Sequence, residues 1–415
     1  MNTIFTICAK NYLAQALTLR NSLIKYENTI FWIFLADSPA EAEELPNIVT
    51  LSDSWLPNWQ EMAFKYDIIE FATSIKPFCI KKLFEDGYTK VMYLDPDMYV
   101  TSNLSYVWNI LDSKSIVLTP HFLDSTSSQV RAVSENEVRM SGIFNLGFIG
   151  VCNDRAGNEL ISWWCDKLSN YCYDEQDAGF FVDQRWMDYS PALFSDVLCI
   201  PRHYGMNVAI WNIHERILIN DNGNYRILSN KTGELYDLLF FHFSGFDPHD
   251  TYHIDSKRSA FGISDFDSYC VLINEYRSTL LNNGYDSYSK IAYYFNTFSN
   301  GEYILNINRK FYTKLLEDGI VNNSEKPFDA HSSVYSFMKQ ERLLSERYNS
   351  EPGIHLRNLR NVPYWNNRIE KRWIRPLLRF IKRNIGIQKY ISLIWMFKRL
   401  GFLENHYSII VKNKT

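Results

Sequence analysis

The chain has no apolar run of about twenty residues, no regular cysteine spacing, no internal repeat and no low-complexity segment. Without such a run no membrane span is expected. The cysteines are seven, an odd number, and they fall in apolar stretches such as Thr6-Ile-Cys8 and Val197-Leu-Cys199, so they read as reduced core residues and not as a disulfide framework. The opening strand-like run Ile4-Phe-Thr-Ile-Cys8 is followed at once by Lys10, without the charged, apolar and small-residue order of a signal peptide, and a cytoplasmic location is expected. Excess positive charge is also missing: the formal net charge is −4, which disfavours general nucleic-acid binding.

What is present is a folded chain of 415 residues, 46% hydrophobic, with a high aromatic share of 16%. Aromatic rings suit sugar binding, because their apolar faces stack on sugar C–H surfaces. Short apolar runs recur at Ile4–Ala9, Ile30–Ala36, Ile48–Leu51, Lys90–Leu94, Ser115–Leu118, Phe144–Val151 and Leu238–Phe243, with amphipathic stretches such as Tyr12–Lys25 and Pro77–Asp86 between the first of them. This alternation predicts an α/β fold with a mostly parallel sheet, whose ligands bind beyond the carboxyl ends of the strands. From about residue 266 the pattern turns helical, at Tyr269–Asn282, Tyr288–Thr297 and Arg309–Asp318. After Glu351-Pro-Gly353 it becomes basic, with fourteen Lys/Arg against Glu370 and Glu404 from Ile354 onward. The expected divisions are therefore 1–265, a helical appendix at 266–350 and a basic amphipathic tail at 351–415.

Lys90-Val-Met-Tyr-Leu94 runs directly into Asp95-Pro-Asp97. Two carboxylates two residues apart at a strand end, with Pro96 stiffening the turn, can face one hard cation. Taken alone, the tripeptide reads sooner as a polar turn closing a strand than as a site.

In its context, Tyr-Leu-Asp-Pro-Asp resembles the D-x-D strand end of glycosyltransferases with the GT-A fold, particularly the retaining family 8 group. Other segments match in order. Thr6-Ile-Cys-Ala-Lys-Asn-Tyr12 resembles the segment that holds the nucleotide base and ribose, which implicates Thr6, Ala9, Lys10, Asn11 and Tyr12. Lys76 sits where that group often has a basic residue near the donor. Phe144-Asn-Leu-Gly-Phe148 resembles the F-N-x-G strand, implying donor-sugar contact by Asn145 beside Gly147. Asp183-Gln184 matches the D-Q pair near the reacting carbon, and Phe241-His-Phe-Ser-Gly245 matches the H-x-x-G segment, giving His242 as third metal ligand with Ser244 and Gly245 near the donor. The likeness spans roughly residues 1 to 250. It departs after Gly245, where Phe246-Asp-Pro-His249 stands in place of K-P-W and a phosphate-touching lysine is missing. A bacterial group found in polysaccharide gene sets is nearer still, sharing D-P-D, F-N-L-G-F-I-G-V, V-D-Q-x-W, Y-x-x-N-V-A-x-W and H-F-S-G-F-D.

The resemblance implies a GT-A, Rossmann-like domain with a C-terminal helical extension. It also implies Mn²⁺ or Mg²⁺ at Asp95, Asp97 and His242, a nucleotide-sugar donor of UDP type, and a cell-surface glycan or lipid-linked acceptor. Asp183 or Gln184 would stabilise the cationic sugar in a retaining enzyme, whereas Asp183 would be the general base in an inverting one. Each residue has a plainer explanation as well: His242 as a core histidine, Asn145 as a buried amide, Gly147 as relief of a strand clash, Asp183 as a helix N-cap and Lys76 as a surface lysine. Tyr204-Gly-Met-Asn-Val-Ala-Ile-Trp-Asn212 is dense in aromatic and amide groups suited to a sugar cleft, and core packing of Trp211 fits equally.

In the tail, Arg368–Arg375, Leu377–Arg383 and Tyr390–Phe397 interleave cations with Trp and Phe, a pattern for an anionic membrane surface or for a partner protein. Nucleic acid is disfavoured. Three rivals remain: a nucleotidyltransferase, which would want a glycine-rich loop where Ala9-Lys-Asn-Tyr12 stands; a phosphatase, which would want its D-x-D near the N-terminus; and a non-catalytic subunit of a polysaccharide complex.

Overall fold

A computed structural model of the chain describes residues 1–40, 45–125, 133–251, 253–254, 267–321, 326–341, 343–344, 375–385 and 387–401. These fall into two compact units, one of residues 1–62 and 68–294, the other of residues 63–67 and 295 onward. Helix Cys270–Asn282, expected in the appendix, is part of the first unit.

The first unit contains strands β1 (Asn2–Cys8), β2 (Ile30–Leu35), β3 (Ile48–Val49), β4 (Lys90–Leu94), β5 (Met98–Val100), β6 (Ile116–Pro120), β7 (Phe144–Cys152), β8 (Leu198–Cys199), β9 (Arg216–Asp221), β10 (Asn224–Ser229), β11 (Leu235–Asp237) and β12 (Phe240–His242). Seven form the central sheet in the order β3-β2-β1-β4-β7-β6-β8. All run in one direction except β7, which pairs antiparallel with both β4 and β6. This is the α/β, mostly parallel sheet expected from the alternation of apolar runs.

The reversal of β7 decides the geometry of the site. Every residue of β7 is buried, so its apolar sequence carries no direction. Running backwards beside β4, it delivers its amino end to the carboxyl end of β4, with Leu94 opposite Phe148. A separate two-stranded ribbon, β5 with β12, sets His242 opposite Met98.

Buried side chains of Ile4, Leu19, Ile33, Met92, Leu94, Phe148 and Phe240 form one core beneath this strand end. Phe241, Phe243, Leu272 and Tyr276 belong to a second, in which the Phe243 and Tyr276 rings stack at 3.8 Å. Burial of each such side chain contributes about 1.5–3 kcal/mol, which holds the strand ends fixed. Long helices flank the sheet. Arg155–Tyr171 starts on Asp154, whose carboxylate accepts the Gly157 N–H at 2.8 Å.

The helix expected at Tyr288–Thr297 is not formed as such. A short helix, Tyr285–Tyr288, begins after Gly284 at φ 87°, and a 3-10 turn covers Tyr294–Asn296.

The second unit packs Phe298, Ile304, Phe311, Leu315, Val334 and Met338 around Phe64. Arg309 is its anchor, donating to the carbonyls of Ala63, Phe64, Tyr66 and Phe295 at 2.7–3.0 Å. Helices Arg375–Ile385 and Ile387–Leu400 cover part of the basic tail, while residues 368–374 of the expected cationic segment lie outside the described residues. Among the described residues no helix is long and apolar enough to cross a membrane.

Candidate active site

The β4 strand ends at Leu94, and the next residues turn sharply: the Asp95 N–H donates to the Gly147 carbonyl at 2.8 Å and the Met98 N–H to the Asp95 carbonyl at 3.0 Å. The turn leads into β5, and Asp97, the residue just before that strand, lies at the end of the ribbon where His242 closes β12. The structure thereby unites the three expected metal ligands, with one donor atom from each of Asp95, Asp97 and His242 lying within 4.8 Å of the others. The Nε2 of His242 is 3.2 Å from Asp97 Oδ1 and 3.7 Å from Asp95 Oδ2. Tyr93 donates its hydroxyl to the other Asp95 oxygen at 2.5 Å, leaving Oδ2 to face the imidazole.

Electrostatics at this cluster are in conflict. Burial lifts the Asp95 carboxyl above its usual range, against Lys76 and His242, which pull it down, and with Asp97 adding to the rise. Burial disfavours the His242 imidazolium, yet Asp97, through charge and hydrogen bond, and Asp95 together raise it above the ordinary histidine value. A hard divalent cation would relieve that conflict, and two carboxylate oxygens plus one imidazole nitrogen suit Mn²⁺ or Mg²⁺.

Room for this arrangement comes from Gly147. A Cβ there would stand 2.6 Å from His242 Cε1, 2.8 Å from Met98 Cε and 2.9 Å from Asn145 Oδ1. Trp211 packs against the histidine, edge to face, with centroids 5.1 Å apart. Trp211 is therefore a core residue and a wall of the site at once.

Asn145 sits beside the cluster, its Oδ1 accepting from Asn207 Nδ2 at 2.9 Å and from the Gly147 N–H at 3.2 Å. Asn207, absent from the expected site residues, adopts φ 49°, which asparagine tolerates, and also donates to Thr119 Oγ1. A main-chain bond from His242 N to Val208 O at 2.8 Å ties this segment to β12.

Lys76 is not a surface lysine. It is 1% exposed, its Nζ bonded to Asp183 Oδ2 at 2.5 Å and to the Leu146 carbonyl at 2.7 Å, and lies 4.2 Å from the centroid of the Tyr93 ring. Asp183 makes no capping bond to the 3-10 helix Gln184–Tyr189 that follows it. Burial raises its carboxyl, with Lys76 opposing. Gln184 is fixed at both ends of its amide, accepting from Leu146 N at 3.1 Å and donating to the Ser141 carbonyl at 2.8 Å. Val182, immediately before the pair, has φ 41°, an unfavourable value for a β-branched residue, and such strain collects at functional positions.

The β1 end supplies a second group. Phe5 of β1 is level with Tyr93 of β4, so Ala9 to Tyr12 leave the sheet next to Asp95. Lys10 turns toward the end of β2: its N–H donates to Asp37 Oδ2 at 3.3 Å and its Nζ to Ser38 Oγ at 3.0 Å. Asp37 also accepts from the Tyr294 N–H and was not among the expected residues, although it stands just past a strand end. The Thr6 hydroxyl and the Asn11 side-chain carbonyl are buried without a hydrogen-bond partner, polar atoms that a nucleoside would satisfy. Tyr12 is 39% exposed as a residue, and desolvation about its hydroxyl end, then Asp97, Tyr285 and Asp95, push the phenol above its ordinary value. Ser244 and Gly245 form the turn after His242, held where the Phe243 N–H donates to the Asp97 carbonyl at 2.9 Å.

No protein-family profile matches the chain. It is 23% identical over 253 residues to the uncharacterized protein YfnF of Bacillus subtilis (strain 168), covering 58% of this chain and 80% of that protein. It is 27% identical over 186 residues to YfnD of the same strain, covering 43% of this chain and 54% of that protein. Similar solved structures include the galactosyltransferase LgtC with donor and acceptor sugar analogs, at TM-score 0.41 and 16% identity over 67% of this chain and 96% of that one. The glycosyltransferase GlyE of Streptococcus pneumoniae TIGR4 gives TM-score 0.37 and 16% identity over 72% and 67%. Mouse xyloside xylosyltransferase 1 gives 0.33 and 12% over 50% and 88%. Likeness at these levels does not carry an activity across, and the chemistry rests on the residues of the site.

Proposed function

We propose that this chain is a glycosyltransferase, and more particularly a metal-dependent enzyme that moves a sugar from a UDP-sugar to a cell-surface glycan or lipid-linked acceptor with retention of configuration. The observation that carries the reading is the convergence of Asp95, Asp97 and His242 at the carboxyl end of β4, in a space that only a glycine at 147 leaves open.

Asp95, Asp97 and His242 would hold Mn²⁺ or Mg²⁺. Bound there, the ion would supply positive charge against the diphosphate of the donor. Thr6 and Asn11 offer their unpaired polar atoms to the nucleoside. Asn145 has its oxygen engaged by Asn207 and Gly147 and one side of its Nδ2 facing His121 Nε2 at 3.5 Å, which leaves a single Nδ2 hydrogen as a donor to a sugar hydroxyl. In the reaction the anomeric C–O bond to the diphosphate breaks, a bond to the acceptor oxygen forms, and the acceptor proton leaves with the diphosphate. Retention is supported by Asp183: a general base must be open to the acceptor hydroxyl, whereas this carboxylate is 2% exposed and paired with Lys76. Its charge, set against Lys76, favours the cationic sugar in the transition state.

A thermal-shift screen of nucleotide sugars with and without Mn²⁺ tests the reading. Stabilisation by a UDP-sugar that requires the metal is expected, and a screen in which no nucleotide sugar responds to the metal would sink it.

The reading extends to an anionic membrane at the inner face of the cell. Leu377 and Phe380 are 57% and 66% exposed on helix Arg375–Ile385, alongside Arg379 and Arg383, and Trp395 and Phe397 are exposed on the next helix. Each cation near such a surface contributes about 1 kcal/mol. Co-sedimentation with phosphatidylglycerol vesicles, lost in a Phe380→Glu/Trp395→Glu variant, is the expected result. Equal binding to neutral vesicles would refute it.

A further inference from the structure

The 3-10 helix that begins at Gln184 continues outward from the site into an exposed aromatic shelf. Trp186 and Tyr189 stack with centroids 6.4 Å apart and planes 25° from parallel, and Tyr171 and Phe180 stack at 6.2 Å and 5°. Trp186 links the two pairs, 6.3 Å from Phe180. Tyr189 is 57% exposed and Tyr171 49%. Between the rings lies a cleft of about 340 Å³ lined by Gly179, Phe180, Arg185, Trp186, Asp188 and Tyr189, a size within the usual range of small-ligand sites.

Scattered exposed aromatics are ordinary, but a contiguous group of them around a fixed polar pair is a binding feature. Arg185 and Asp188 supply that pair, 2.7 Å apart. Both are held by backbone: Arg185 Nη1 donates to the Arg139 carbonyl at 2.7 Å, and Asp188 Oδ1 accepts the Ile143 N–H at 2.8 Å. The polar groups are thus set before any ligand arrives, which reduces the entropy lost on binding.

The lining also identifies the occupant. It contains aromatic, charged and glycine residues and no aliphatic side chain. An acyl chain or an apolar helix would find few aliphatic partners there. A pyranose matches both elements, with a C–H face for the rings and equatorial hydroxyls for a guanidinium and a carboxylate. Continuity with the reaction centre adds a second argument, because Asp183, Gln184, Arg185 and Trp186 are consecutive.

From these features we infer that the shelf is the acceptor subsite, taking a hexopyranose or N-acetylhexosamine unit of a glycan. The acceptor role rests on the glycosyltransferase reading. Sugar binding by the shelf does not.

Saturation-transfer-difference NMR on the full chain tests both. The probes are methyl hexopyranosides, N-acetylglucosamine, lactose, maltose and diacetylchitobiose, with UDP and Mn²⁺ assayed separately. At least one sugar is expected to receive saturation on its ring C–H protons, with affinity falling about tenfold or more in Trp186→Ala and in Tyr189→Ala and largely recovered in Trp186→Phe. Circular dichroism and the Mn²⁺-dependent UDP response verify that the variants are folded. A panel without any response, or a response that survives both alanine variants, overturns the proposal. Trp186-dependent sugar binding in a chain that ignores UDP and Mn²⁺ would leave the shelf standing as a sugar site and remove the donor reading.

Discussion

Lys76 Nζ and Asp183 Oδ2 lie 2.5 Å apart with side chains only 2% and 3% exposed, a charge pair enclosed beneath the proposed donor site. Removing one partner leaves the other charge buried and uncompensated. Lys76→Met is expected to lower stability by about 3–5 kcal/mol. The double variant Lys76→Met/Asp183→Leu should regain much of that stability while remaining inactive. Urea denaturation of the four-member cycle measures both, and an inactive single variant of wild-type stability would contradict the buried-charge account.

Asp97→Ala and His242→Ala each remove one of three donor atoms. Both variants should lose the Mn²⁺-dependent rise in melting temperature with a UDP-sugar, and donor hydrolysis in the wild type should stop on EDTA treatment and return with Mn²⁺. Tyr93→Phe removes only the hydrogen bond that orients Asp95, and metal affinity should fall about 10–100-fold. Titration calorimetry with Mn²⁺ separates the two grades of loss.

Gly147→Ala inserts a methyl group against the His242 ring, Met98 and Asn145. A cost of about 1–3 kcal/mol in stability is expected, as for overpacking elsewhere. Mn²⁺ affinity should fall with it, because the imidazole is the neighbour that must move. If calorimetry finds Mn²⁺ binding intact, the histidine is not a ligand.

His203 makes the stability of the fold depend on pH. Burial lowers its imidazole from 6.5 to about 4, and its Nδ1 accepts the Gly205 N–H, which requires the unprotonated form. Between pH 6.5 and 4 the unfolded chain binds the proton and the folded chain does not, so stability falls as pH is lowered through that window. The contribution is roughly 2 kcal/mol after allowance for partial exposure. Urea midpoints at pH 7 and 4.5 should diverge less in His203→Asn than in the wild type. Equal divergence would show that other groups carry the whole effect.

Arg309→Met should destabilise the second unit by about 2–4 kcal/mol, since its guanidinium satisfies four main-chain carbonyls. Hydrogen exchange should then rise in Phe311–Leu315 with little change in β1 or β4.

Much of this was legible in the sequence. The apolar runs became strands within a few residues of their expected limits, and Asp95, Asp97 and His242, distant along the chain, came together as the order of the segments implied. The direction of β7 was not legible, because a strand buried on both faces reads the same either way. Asn207, Tyr93 and Asp37 escaped for a related reason: their roles lie in partners chosen by tertiary packing. Asn207 stood in a segment already suspected of lining a sugar cleft. The strain at Val182 left no trace in composition, since valine is an ordinary residue until its φ is known.

The ribbon of β5 and β12 gives the molecule a schedule. A nascent chain carries both aspartates early, but the histidine and the strand that aligns it leave the ribosome only after β9, β10 and β11. A chain cut before Phe240 would keep Asp95 and Asp97 but lack both His242 and the strand that sets it opposite Met98, so the three side chains meet only once the first unit has been made as far as β12.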